Sequence, residues 1–250
     1  MRRRPTANPA KRWLLATVWS GLVILLTSGG CMLRYYTRAD LDIVVDPGQN
    51  PPGGSPVRIR RVTDRRVFAL TSLHPDVPSL KDDAIGDRSV TARAIGRKSD
   101  QYGRPKGDFL LPAGRTVPVL VGEIVSSALR GTGYRIVSES DPDWSDAPAL
   151  AVDIERFWSW VTYGIQDFEL NFDALLCIRG DLEPFEAGRT VHGYSRRRTW
   201  NASLEAGWIR TIEDGIEELK QSIARALMAQ EPDSDLPSSE YARDPSCAEN

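Results

Sequence analysis

Between residues 168 and 178 an apolar side chain stands at every second position: Phe168, Leu170, Phe172, Ala174, Leu176 and Ile178. A period of two is the mark of a strand with one buried face. The intervening Glu169, Asn171, Asp173 and Arg179 mark a second face that is more polar. Long strand-like runs flank this segment, at 150–162 and 190–200, and turn residues around Gly164 and at 181–188 separate the three. The pattern predicts a three-stranded antiparallel meander with one face on a core. Its cover follows directly. Over 204–229, Trp208, Ile209, Ile212, Ile216, Leu219, Ile223 and Leu227 recur at three- and four-residue steps. Such a stripe must lie on a sheet, because burying each large aliphatic side chain is worth about 1.5–3 kcal/mol.

Upstream, a second amphipathic helix is predicted over 116–130. Thr116 stands at its N-cap position and Pro118 in its first turn, and its stripe is Val117, Leu120, Val121, Ile124, Val125, Ala128 and Leu129. Gly131 and Gly133 supply its stop, and 134–137 begins another strand. Residues 57–70 read as a strand interrupted by Asp64-Arg65-Arg66, and 71–87 as loop. Residues 90–95 and 109–111 read as short strands around a charged turn region at 96–107. The expected fold class is α+β: a two-layer sandwich of two amphipathic helices on a mixed, mostly antiparallel sheet. Its expected span is 57–230. A Pro- and Gly-rich stretch makes 31–56 a flexible tether, and composition predicts a disordered acidic tail over 231–250.

The first thirty residues assign a compartment. Arg2, Arg3, Arg4, Lys11 and Arg12 precede an uncharged run from Trp13 to Leu26, and Ser28-Gly29-Gly30 leads into Cys31. A basic head, a short apolar run and small residues form an export signal. The apolar run is shorter than the roughly 20 residues of a spanning helix. A cysteine directly after the small residues resembles a bacterial lipoprotein signal, with Cys31 lipidated as the new N-terminus. An uncleaved anchor is the alternative; both readings put the domain outside the cytoplasm. Met32, in place of an aspartate, favours sorting to the outer membrane. The chain has 32 basic and 34 acidic residues, and five of the basic ones precede Cys31, leaving 27 against 34. That balance argues against a nucleic-acid partner. Of the other cysteines, Cys177 is expected as a small buried hydrophobe in its strand; a bridge to Cys247 would have to tie down the tail.

The lipidated cysteine, the strand with Val62-Thr63-Asp64-Arg65-Arg66, the 116–130 helix stepping through Gly133-Tyr134 into a strand, the meander and the last helix together resemble the YajG-like family of bacterial lipoproteins. The resemblance covers most of the domain. It implies a helix-on-sheet domain in the cell envelope that docks other proteins, with no established catalytic residues. The arginine-rich 58–66 stretch, the long 71–114 region and the acidic tail depart from it.

No nucleophile, metal or phosphate motif is present. His74 and His192 are the only histidines and belong to no such pattern, so no catalytic residue, metal or cofactor is expected. Asp141, Asp143 and Asp146 lack the glycine and distal glutamate of a calcium loop and read as a solvated acidic loop. Asp64 with Arg66 reads as a structural ion pair. On the 190–200 strand, Tyr194, Arg196, Arg198 and Trp200 share a face whose composition resembles a protein-interface core. Trp158 and Trp160, with Phe157, Tyr163 and Phe168, cluster near Gly164. They are either an exposed platform for a peptide, glycan or lipid or a patch covered by the 71–114 region. The expected role is a lipid-anchored, non-catalytic interaction module with a membrane anchor and an envelope protein partner. Glycan or small-ligand binding is the alternative.

Overall fold

The computed structural model describes residues 36–228 except Thr71, Asp82 and Asp83. The export signal, Cys31 and the acidic tail lie outside the described residues. No helix among the described residues is long and apolar enough to cross a membrane.

The fold is α+β, built around the meander. Strands β8 (Ala149–Tyr163), β9 (Phe168–Gly180) and β10 (Arg189–Thr199) pair antiparallel throughout. One edge of β8 is shared between two partners. Strand β2 (Ser55–Asp64) runs parallel to its first half, and β5 (Ala94–Ser99) parallel to its second. Outside β5 lie the antiparallel β6 (Pro105–Leu110) and then β1 (Thr37–Asp40); outside β2 lies β7 (Tyr134–Ile136). Four of these seven strand pairs are parallel, although the longest ladders are antiparallel. The sheet is thus mixed, as expected, with most of its paired residues in the antiparallel ladders of the meander and of β5 with β6. Parallel pairing arises because β1, β2 and β5 meet their parallel partners across long stretches of sequence, where no hairpin imposes direction. A two-residue parallel pair, β3 (Ala69–Leu70) with β4 (Ser79–Leu80), stands apart from the main sheet.

Helices α2 (Val117–Gly131) and α3 (Glu205–Met228) cover one face; α1 (Arg88–Thr91) is a single turn. Every member of the predicted α2 stripe is buried. Under the helices, Leu150, Val152, Ile154, Phe157, Leu170, Phe172, Ala174, Leu176 and Ile178 form the main core with Trp208, Ile212, Leu219 and Ile223. Helix α3 approaches the meander at two glycines. A Cβ on Gly193 would meet the Gly215 carbonyl oxygen at 2.5 Å, and one on Gly215 would collide with the Phe172 ring.

Three expectations need correction. First, the flexible tether does not extend to residue 56. Residues 37–40 form β1, and Leu41 and Ile43 are buried in the main core. The Pro- and Gly-rich segment is itself held: Asn50 Oδ1 accepts from the Ile136 amide at 3.0 Å and from Arg130 Nε at 2.9 Å. Two apolar residues among turn formers give no periodic signal, so composition prevailed over them. Second, the charged turn region 96–107 is largely strand. Its Gly96 and Gly107 sit so close to Ser159 and Thr37 that a Cβ on either would clash, and Arg97 and Asp108 are buried polar residues rather than turn formers. Third, Cys177 is buried but not a free thiol. It is disulfide-bonded.

Candidate functional site

The face of the sheet opposite the helices divides in two, and a bulge in β8 sets the boundary. Ile154 pairs with Leu176 and Arg156 with Leu175, leaving Glu155 as an extra residue. A one-residue insertion exchanges the faces of everything beyond it. Leu150, Val152 and Ile154 point to the helices, as does Phe157 after the bulge. Trp158 and Trp160 therefore point to the other side, although they share the even parity of Leu150, Val152 and Ile154.

They are not an exposed platform there. Trp158 is fully buried and Trp160 nearly so, in a satellite core with Leu80, Ala84, Val90, Ala94 and Leu110, against which Phe68 packs. Trp158 Nε1 donates to the Pro75 carbonyl at 3.2 Å, and the Phe68 ring meets the Trp158 ring edge-on at 6.0 Å. The assignment of Trp158 and Trp160 to an interaction surface is corrected: the 66–92 segment covers them.

Asp64 and Arg66 explain how that cover attaches. Where β2 leaves the edge of β8 and β5 takes over, the Arg66 side chain fills the gap, fully buried. It makes a two-point pair with Asp64, at 2.8 and 2.7 Å. It also donates to the carbonyls of Ala94 at 2.5 Å, Phe157 at 3.2 Å and Thr91 at 3.1 Å. A guanidinium has five donors and no acceptor, which suits a break in a ladder that leaves carbonyls without amides.

Over β9 and β10 the same face is open. Alternation along β10 brings His192, Tyr194, Arg196 and Arg198 outward in one row, with Trp200 beyond the strand end. Tyr194 is 41% and Trp200 78% exposed. The neighbouring row on β9 holds His192 and Tyr194 in place. Asp173 accepts from His192 Nε2 at 2.8 Å and from Arg156 Nη1 at 2.6 Å. Asn171 Oδ1 accepts from the Tyr194 hydroxyl at 2.9 Å. Burial works to raise the Asp173 carboxyl pKa, but hydrogen bonds from His192 and Arg156 outweigh it and hold it below the usual range. Asp153 behaves likewise: burial is opposed by Arg179 and Arg65, the latter at 3.1 Å, and the net shift is downward. Burial pushes the Tyr194 hydroxyl up, and the Glu169 charge adds to that. The row thus presents a neutral phenol and two outward arginines above anchored carboxylates.

A His–Asp pair also occurs in nucleophilic sites, which need a hydroxyl or thiol against the other ring nitrogen. Here the ring neighbour is Tyr194, stacked at 6.4 Å between centroids. His74 sits exposed in the loop after β3, apart from this row. Asp141 and Asp143 both pair with Arg135, the first at 2.7 Å, and no group of three or more metal-ligating side chains occurs among the described residues. Sequence reading singled out Tyr194, Arg196, Arg198 and Trp200 but missed Asp173, Arg156 and Asn171. For Asp173 and Asn171 the only signal was polarity at alternate positions of the otherwise apolar β9; Arg156, on β8, carried none.

No known protein family matches the chain, and no curated protein does. Neither comparison supports the resemblance to YajG-like lipoproteins. Two solved structures are similar at a low level. An uncharacterized protein is 11% identical, with 76% of this chain and 97% of that one covered and a TM-score of 0.37. A minor lipoprotein from Acinetobacter baumannii is 12% identical, with 42% and 82% covered and a TM-score of 0.26.

Proposed function

We propose that this protein is a lipid-anchored, non-catalytic docking module of the bacterial cell envelope, facing the periplasm from the outer membrane. The reading rests on the export signal ending at Cys31 and on one structural observation. The open face of β10 offers an outward row of Tyr194, Arg196 and Arg198 with Trp200 at its end, in which Asn171 holds Tyr194 and Asp173 holds the neighbouring His192. An aromatic side chain held in place, as Tyr194 is by Asn171, loses little entropy on binding, and tyrosine, tryptophan and arginine are the residues that interface hot spots favour. The two arginines select an acidic segment of a partner protein. A disulfide at Cys177 is in keeping with an oxidising compartment; peptide mapping without reduction identifies its partner.

A photo-crosslinking residue in place of Tyr194, used in living cells, should capture one envelope protein. Arg196→Glu with Arg198→Glu should lose that product while leaving the thermal midpoint unchanged, since surface substitutions of this kind stay within about 0.5 kcal/mol. Crosslinks that persist in the charge-reversed variant would remove the face from the interaction.

A further inference from the structure

The two ends of the sheet differ in composition, and the chain enters at one of them. Strand β1 begins at Thr37, level with Gly107 of β6, whose partner Lys98 lies one residue from the end of β5. Tyr36 thus sits at the end of the sheet where β8 turns into β9 and where β10 finishes. Three connections crown this end: the β5–β6 turn, the β8–β9 turn and the stretch from β10 to α3. Each exposes a large apolar side chain. Tyr102 is 66%, Ile165 102%, Trp200 78% and Leu204 58% exposed. The charges between them are balanced, with Asp100 paired to Arg104 and Lys106, and Asp167 facing Arg198. At the opposite end, the loops before β8 and after β9 carry Glu139, Asp141, Asp143, Asp146, Asp181, Glu183 and Glu186.

Only five residue steps separate Cys31 from Tyr36, at most about 18 Å of extended chain. Strand β8 alone runs about 45 Å from the acidic end to the apolar end. A leash that short, attached at the apolar end, keeps this end near the bilayer and the acidic end away from it.

We propose that the end of the sheet bearing Tyr102, Ile165, Trp200 and Leu204 seats on the phospholipid surface to which Cys31 ties the chain. The inference rests on the lipid-anchor reading above and adds an orientation to it. Tryptophan and tyrosine settle at the membrane interface, and a contact of several apolar side chains adds to an acyl anchor as a second attachment. Seated this way, the domain stands with its strands upright, and the open face of β10 is turned sideways, free for a partner.

The test uses the full-length lipidated protein in vesicles of phosphatidylethanolamine and phosphatidylglycerol, with and without bromine on the acyl chains. Flotation with the vesicles, lost in Cys31→Ser, establishes the anchor. Brominated chains quench only nearby indoles. Trp144 marks the acidic end and Trp200 the apolar end, whereas Trp158, Trp160 and Trp208 are buried. Quenching should fall at least severalfold in Trp200→Phe and persist in Trp144→Phe. A protein that floats but shows no quenching, or loses it with Trp144→Phe, overturns the seating and leaves the anchor standing. A protein that never acquires the lipid overturns both.

Discussion

The back of the sheet is two surfaces made from one ladder. Over β5 and the second half of β8 it is dry: Trp158 and Trp160 lie under the 66–92 segment, which Arg66 fastens to the sheet edge. Over β9 and β10 it is open, and polar side chains are held by buried carboxylates instead of being covered. Tryptophan occurs on both sides, fully buried at Trp158 and largely exposed at Trp200. Residue type therefore does not decide whether a strand face is core or contact surface. What decides it is whether a distant segment returns to cover that face.

The sharpest way to break this contrast is to truncate the two indoles. Trp158→Ala should lower stability by about 3–5 kcal/mol, the cost of emptying a large buried aromatic site, whereas Trp200→Ala should stay within about 0.5 kcal/mol. Equal losses in urea unfolding would mean that the two surfaces are not different. Next in size is Arg66→Met, which leaves the Asp64 carboxylate and three carbonyls without their donor. A loss of about 3 kcal/mol is expected, against less than about 1 kcal/mol for the part-exposed Arg65→Met. Gly215→Leu probes the helix-covered face. Its side chain would have to displace Phe172, and overpacking of this kind costs about 1–3 kcal/mol, read as a lower calorimetric midpoint.

The smallest effect belongs to the open surface. The folded-state pKa of Asp173 lies below its unfolded value, so the unfolded chain takes up the proton first as pH falls. Its contribution to stability is complete above the unfolded value of about 3.9 and disappears as pH drops through the folded value. Asp173→Asn should therefore lower the urea midpoint at neutral pH and flatten its decline below about pH 4. A variant that follows the wild-type acid limb in parallel would show that Asp173 carries none of it.

Much of this was legible before any coordinates. The meander, both amphipathic helices and the row of Tyr194, Arg196 and Arg198 follow from period-two and period-3.6 patterns, because each is a local repeat long enough to count. The failures share one cause. The faces of Trp158 and Trp160 depended on a single bulged residue, Glu155, which leaves no trace in composition. Strand β1 and the buried Leu41 and Ile43 lie among turn residues and acquire their core from β6, some seventy positions away. Strands β5 and β6 carry charge where a strand was expected to alternate, because Arg97 and Asp108 meet across their ladder. For the site, the outward residues could be read from alternation, but Asp173, Asn171 and Arg156 could not. Their role exists only once two strands are in register.

The sequence by itself determined the local elements and the buried stripe of each helix, since these depend on the periodicity and chemistry of adjacent residues. Tertiary structure alone decided which half of the back face is covered, where the Arg66 side chain goes, and which end of the sheet receives the chain from Cys31. Each of these depends on register and on contacts between segments far apart in sequence, where a one-residue shift reverses the outcome.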